Sequence, residues 1–226
     1  MKEMINGRPI PYDRSKEELL ALLSSDNMTD FVVACEALSH ISEEAVCNCL
    51  GSYLDSSDPY RRLAVLKVIF RNPYATRFIP ALEKAIMSED ILFAENGLRI
   101  AFSWRVAVSE SAILTATRRH IRKLYALDAL DLLTVHEENY QALTEIFFRC
   151  VSSLQQEIVA DILVRKYDDA HAAELFDLLV DSKYPKVRRV AAMLGLSHGF
   201  DLTSLQNDPD GHVRRIVLGH PPKKSS

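Results

Sequence analysis

Apolar residues recur along this chain at three- and four-residue intervals, and the pattern restarts about every thirty residues, the signature of stacked helical units. In Asp181–Gly195, a turn and Pro185 lead into a helix with Val187, Val190, Ala191 and Leu194 on one face. Asp208–Gly219 repeats the arrangement with Val213, and Asp55–Leu66 does so with Tyr60. After Asp26, residues Phe31, Ala34, Cys35 and Leu38 fall at i, i+3, i+4 and i+7. Asp26, Asp55 and Asp208 each stand five residues before their anchors, and Asp181 stands six before Val187. With Phe93 and weaker units near positions 125 and 158, the anchors number seven, two helices to each.

The elements follow in order. Residues 1–14, with Pro9 and Pro11 among polar neighbours, are expected to form an arm without regular structure. Ser15 and Glu18 form a capping box, in which the serine oxygen accepts an early helix amide while the glutamate reaches back. Thr134–Glu137 and Ser153–Gln156 have the same form. Partner helices are expected near 43–54, 79–87, 109–118, 138–151 and 170–179, and first helices of the weaker units near 121–133 and 154–167. Residues 15–219 then make one repeat domain, and 220–226 a frayed tail.

Composition adds little to this and contradicts none of it. With 226 residues, 48% hydrophobic and 26% charged, the chain is long enough to bury a large core. Seven glycines and few alternating stretches argue against an all-β fold. The net charge of −4 is unevenly spread: residues 1–57 carry 4 basic and 10 acidic side chains, residues 58–126 carry 12 and 6, and the remainder 11 and 15. Cys35, Cys47, Cys49 and Cys150 lack the spacing of a disulfide framework and read as reduced, small hydrophobes. The opening Met1–Gly7 has no apolar core of a signal peptide, and no run approaches the ~20 apolar residues of a membrane span. The expectation is a cytoplasmic protein.

The pattern Asp-x-x-x-x-[Val/Tyr]-Arg-Arg-x-Ala, carried by Asp55–Phe70, Asp181–Leu196 and Asp208–Leu218, resembles the HEAT-like repeats of bacterial proteins, of the kind noted in phycobilin lyases. That resemblance implies an all-α, right-handed α-α superhelix, a solenoid of about six to seven helix pairs. It also implies that the aspartate before each first helix and the arginine within it bind neighbouring repeats together. Here that role falls on Asp55, Arg61, Asp181, Arg188, Asp208 and Arg214. The repeat specifies a fold and leaves the function open.

Catalytic patterns are thin. Gly195-Leu-Ser197-His-Gly199 matches the nucleophile elbow in letters, but the elbow needs a strand before the serine, and here a helix precedes it. Both glycines stand where helices end. The seven histidines form no pair at zinc-ligand spacing, and no glycine-rich loop is present to cradle phosphate. No catalytic, metal or cofactor-binding residues are assigned. The densest basic segment is Arg118, Arg119, His120, Arg122 and Lys123, with Trp104 and Arg105 upstream. Its guanidinium groups suit an acidic partner and Trp104 an apolar anchor. The competing reading has Trp104 plugging a turn and the arginines solvating a helix junction.

The leading expectation is a non-enzymatic scaffold that holds a protein or peptide on the curved surface of stacked helices. The alternative is nucleic-acid binding, since some DNA glycosylases resemble this repeat architecture and carry a basic concave face. One tryptophan and a pI near 6.0 weigh against it. A bilin-lyase-like enzyme is a more distant third.

Overall fold

The helices open at polar turns that close on themselves. In the computed structural model, which describes residues 4, 5 and 7–219, the turns at residues 25, 56, 88, 182 and 208 share one arrangement. The hydroxyl of Ser25, Ser56, Ser88 or Ser182 accepts the amide two residues on, at 3.1–3.2 Å, and a carboxylate oxygen of Asp208 does the same at 2.7 Å. In four of the five, that second residue (Asn27, Asp58, Asp90 or Asp210) then caps the helix by accepting the amide two residues further on, at 2.8–2.9 Å. Such caps satisfy amides that a helix start leaves bare. Tyr184 occupies the cap position of the remaining turn without a side-chain cap, and Pro185 follows it, whose missing N–H needs no partner.

Every element but two is helical among the described residues. The exceptions form a minimal ladder: β1 (Met4–Ile5) pairs antiparallel with β2 (Arg8–Pro9), where an irregular arm was expected. Gly7, at φ 78°, turns the chain between them, a backbone geometry that glycine adopts without strain. Two compact units follow, Met1–Ala116 and Thr117–Ser226.

The first unit contains α1 (Lys16–Leu22), α2 (Met28–Ser39), α3 (Glu44–Gly51), α4 (Pro59–Ile69), α5 (Ile79–Ile86), α6 (Ile91–Trp104) and most of α7 (Glu110–Arg119). Short 3₁₀ turns at Ser52–Asp55 and Ala75–Phe78 extend α3 and lead into α5. The capping box of α1 forms as the sequence predicts, Ser15 accepting from Glu18 N–H and donating its own amide to Glu18. Helix α2 packs on α4, α4 on α6 and α5 on α6, around Phe31, Leu38, Leu50 and Ile69, none of which is exposed to solvent. Two glycines make close approaches possible. A methyl group on Gly97 would stand 3.0 Å from the backbone nitrogen of Ile86, and one on Gly51 would stand 1.9 Å from the Phe78 ring.

The second unit contains α8 (Leu124–Asp128) with a 3₁₀ turn at Ala129–Leu132, α9 (Glu137–Arg149), α10 (Ser153–Val180), α11 (Pro185–His198), α12 (Thr203–Gln206) and α13 (Gly211–Leu218). Helix α10 packs on α9 and α11, and α11 on α13. The two helices expected at 154–167 and 170–179 run on from one another within α10 and meet at a kink at His171, whose angles are not helical (φ −128°, ψ 23°). The capping box of α10 is Ser152 with Gln155, one residue earlier than the spacing suggested. Thr134–Glu137 forms no such box: His136 is the residue before α9, and Asn139 donates to the Thr134 carbonyl instead.

The anchors divide. Phe31, Val187 and Val213 are fully buried, whereas Tyr60 is 68% exposed. Ser56 rather than Asp55 opens that turn, so the register moves by one and Arg61 stands where Val187 and Val213 stand in theirs. The glycines of the serine motif also part company. Gly199, at φ 72°, ends α11, while Gly195 lies within the helix against Leu202 and Phe176, and Ser197 Oγ donates to the Leu194 carbonyl. No helix among the described residues is long and apolar enough to cross a membrane.

Candidate partner-binding cleft

The arginines of the repeated turns act through backbone oxygens. Arg62, Arg188 and Arg214 each reach the carbonyl six residues back, at Ser56 (2.6 Å), Ser182 (2.6 Å) and Asp208, and so lock the turn from inside its own helix. Arg62 is therefore the counterpart of Arg188 and Arg214. Arg61 does something else: it donates to the carbonyls of Leu23 (3.2 Å) and Ser25 (2.7 Å) in the preceding segment, its guanidinium 4.7 Å from the Phe31 ring centre. Arg188 also crosses to the following turn, meeting Asp208 through two hydrogen bonds of 2.6 and 2.9 Å. Asp55 and Asp181 are exposed, and neither side chain hydrogen-bonds among the described residues.

The basic segment and Trp104 fall in different units. Trp104, 48% exposed, closes α6 with the Arg71 guanidinium 5.9 Å from its ring, so it does not plug a turn. Arg71 is itself held by Glu36 of α2. Arg105 takes a left-handed conformation, φ 49°, to end the helix, and its guanidinium lies over Phe102. In the second unit Arg118 pairs with Glu145 at 2.8 Å, and Arg149 joins the same carboxylate at 3.4 Å. Arg118 first and then Arg149 hold that carboxyl below the usual range. His120 is buried, with its Nε2 lacking a hydrogen-bond partner among the described residues. Arg122 and Lys123 are exposed.

A concavity lies elsewhere, in the first unit, and of the residues that sequence spacing singled out it takes Asp55 and Phe93. It encloses about 710 Å³ between the openings of α4 and α6 and the outer side of α5. Its apolar lining includes Pro59, Leu66, Phe78 and Phe93, and its charges are Arg62, Arg77, Lys84, Asp55 and Asp90. Arg62 lies 5.3 Å from the Phe93 ring centre while bonded to the Ser56 carbonyl, which fixes the guanidinium at the rim. Arg77 sits over Phe78 and reaches Glu44 at 3.5 Å. Among the described residues Arg62 and Lys84 have no carboxylate partner. The volume is in the range of clefts that take a ligand or a few side chains of a peptide.

One polar cluster of the second unit gathers an imidazole, a phenol and two carboxylates. At the kink, His171 stacks on Tyr140, ring centres 3.8 Å apart, with Glu174 at 3.0 Å from Nδ1 and Glu137 at 3.2 Å from Nε2. Tyr140 donates to the same Glu174 oxygen. Burial, and next the Glu174 charge, push the phenol up to about 12. No group of three or more His, Cys, Asp or Glu placed to hold a metal occurs among the described residues. The cluster ties α9 to the kink of α10.

No family model matches the chain, and no curated protein matches it. Among solved structures, the crystal structure of an engineered protein resembles it over 91% of this chain and 94% of its own, at 18% identity and a TM-score of 0.28. A likeness that low carries no argument about fold or function.

Proposed function

We propose that this chain is a non-enzymatic, HEAT-like helical-repeat scaffold of the cytoplasm, and that it holds a protein or peptide segment in the cleft of its first unit. The observation that carries this reading is the cleft itself: about 710 Å³, apolar walls and cations fixed at its rim. The five repeated turns, three of them closed by an arginine on a backbone carbonyl, support the repeat architecture, as does the pairing of α2, α4 and α6 along the first unit. Four free cysteines, three of them buried, suit a reducing compartment.

A displayed random-peptide library tests the reading. Peptides enriched on the protein should lose binding to an Ala81→Trp variant, in which the indole fills the cleft. Retention of every enriched peptide by that variant, folded as the parent is, sinks it. The nucleic-acid reading has less support, because Arg118 is already engaged by Glu145. Retention on heparin that falls steeply with salt would favour it.

A further inference from the structure

We propose that this cleft selects an acidic segment, one carboxylate meeting Arg62 and Lys84 while a neighbouring apolar side chain packs against Phe78 and Phe93. The proposal rests on the cleft being the partner site and adds the chemistry of its occupant.

Charge complementarity carries it. Three cations line the cleft against two carboxylates, of which the exposed Asp55 makes no side-chain hydrogen bond among the described residues and leaves the balance still positive. Asp90 is committed to its helix, accepting the Leu92 amide at 2.8 Å. Arg77 is shared with Glu44 across a long 3.5 Å contact. Arg62 is satisfied by neutral oxygens of Ser56 and Ser57, which orient it without cancelling its charge. Lys84 is exposed on α5 and has no carboxylate partner among the described residues. A positive cleft with aromatic walls fits a carboxylate beside an apolar group, and a guanidinium already oriented loses less freedom on binding one.

The chain's own C-terminal sequence is the wrong occupant. Pro221–Ser226 carries Lys223 and Lys224 and no acidic side chain.

Fluorescence anisotropy of three labelled peptides provides the test: alternating glutamate and leucine, glutamine and leucine, and lysine and leucine. The glutamate peptide should bind about tenfold more tightly than the glutamine peptide, a difference worth about 1.4 kcal/mol. The gap should narrow as salt rises, and the lysine peptide should bind least. Lys84→Glu combined with Arg77→Glu, two exposed positions, should erase the preference with an unchanged melting temperature. Equal binding of the glutamate and glutamine peptides, both lost in Ala81→Trp, overturns acid selection and leaves the cleft as a binding site. If no peptide responds to Ala81→Trp, the cleft reading fails and this proposal with it. Self-association in sedimentation that Lys84→Glu abolishes would name a second copy of the chain as the occupant and overturn the proposal of a separate acidic partner.

Discussion

Arg188 and Asp208 meet through two parallel hydrogen bonds, Nε to Oδ2 at 2.6 Å and Nη2 to Oδ1 at 2.9 Å. Asp208 is only 4% exposed, and its Oδ1 also accepts the Asp210 amide. One carboxylate thus shapes its own turn and fastens the preceding helix to it. Planar guanidinium against planar carboxylate is the geometry in which an ion pair is strongest, and lysine cannot reproduce it.

Arg188→Ala should lower unfolding free energy by about 1–3 kcal/mol, since it strands a buried carboxylate. Asp208→Ala should cost at least as much because a turn bond goes too. The double variant should fall short of the sum of the two losses. Urea denaturation of the four proteins measures this, and additive losses would show that the pair is not coupled.

Acid should undo the same contact. The hydrogen bond from Arg188, more than any other influence, holds the Asp208 carboxyl below its ordinary value of 3.8. A carboxyl depressed in the folded state adds stability that is present above its unfolded value and disappears as pH falls through the folded one. Stability should therefore drop more steeply below about pH 4 in the parent than in Asp208→Asn, which has no proton to gain. Thermal melts from pH 6 to pH 2 compare the two slopes.

Gly97→Ala should destabilise the first unit by about 1–3 kcal/mol through overpacking, although alanine favours helix. The neighbour it meets is the Ile86 backbone, which cannot rotate away. A Gly97→Ala protein melting at or above the parental temperature would contradict the close approach of α5 and α6.

Reversing Arg122 and Lys123 together to glutamate should leave the melting temperature nearly unchanged. Arg118→Glu should lower stability only slightly, about 0–1 kcal/mol, because the Arg118–Glu145 pair is well exposed. Unfolding of either protein would assign the segment a structural role that these contacts do not give it.

Alkylation should distinguish the thiols. Burial pushes the Cys150 thiol up to about 11 and raises those of Cys35 and Cys47 as well, so little thiolate forms on any of them near neutral pH. Cys49, only partly buried, should be modified first by iodoacetamide under native conditions, and mass spectrometry of the labelled peptides reads the order.

Helix content was legible because apolar spacing is a local property: α5 and α7 fall within a residue or two of the ranges their periodicity predicts. Register was harder to read. Asp55 and Ser56 are adjacent and both suit a helix opening, so only the bonds from the Asp58 amide to Ser56 Oγ and from Arg62 to the Ser56 carbonyl show which one starts the turn. The break expected between 167 and 170 lies at His171, whose non-helical angles part the two helices by a kink rather than by a loop. The cleft was not legible in the sequence. Phe93 stood out only as a repeat anchor, and Arg62, Arg77 and Lys84 belong to successive elements that only packing brings to one rim with it.

The turns at residues 56, 182 and 208 have a consequence for how such a chain grows. Each is closed by bonds that begin and end within seven consecutive residues: first with third and seventh with first in all three, and third with fifth at Asp58 and Asp210. A segment copied with one of these openings brings the complete instruction for starting its first helix, independent of what stands beside it. Tandem duplication can then lengthen the array without inventing a new boundary, and later substitution, as at Asp208, can add the stitch to a neighbour.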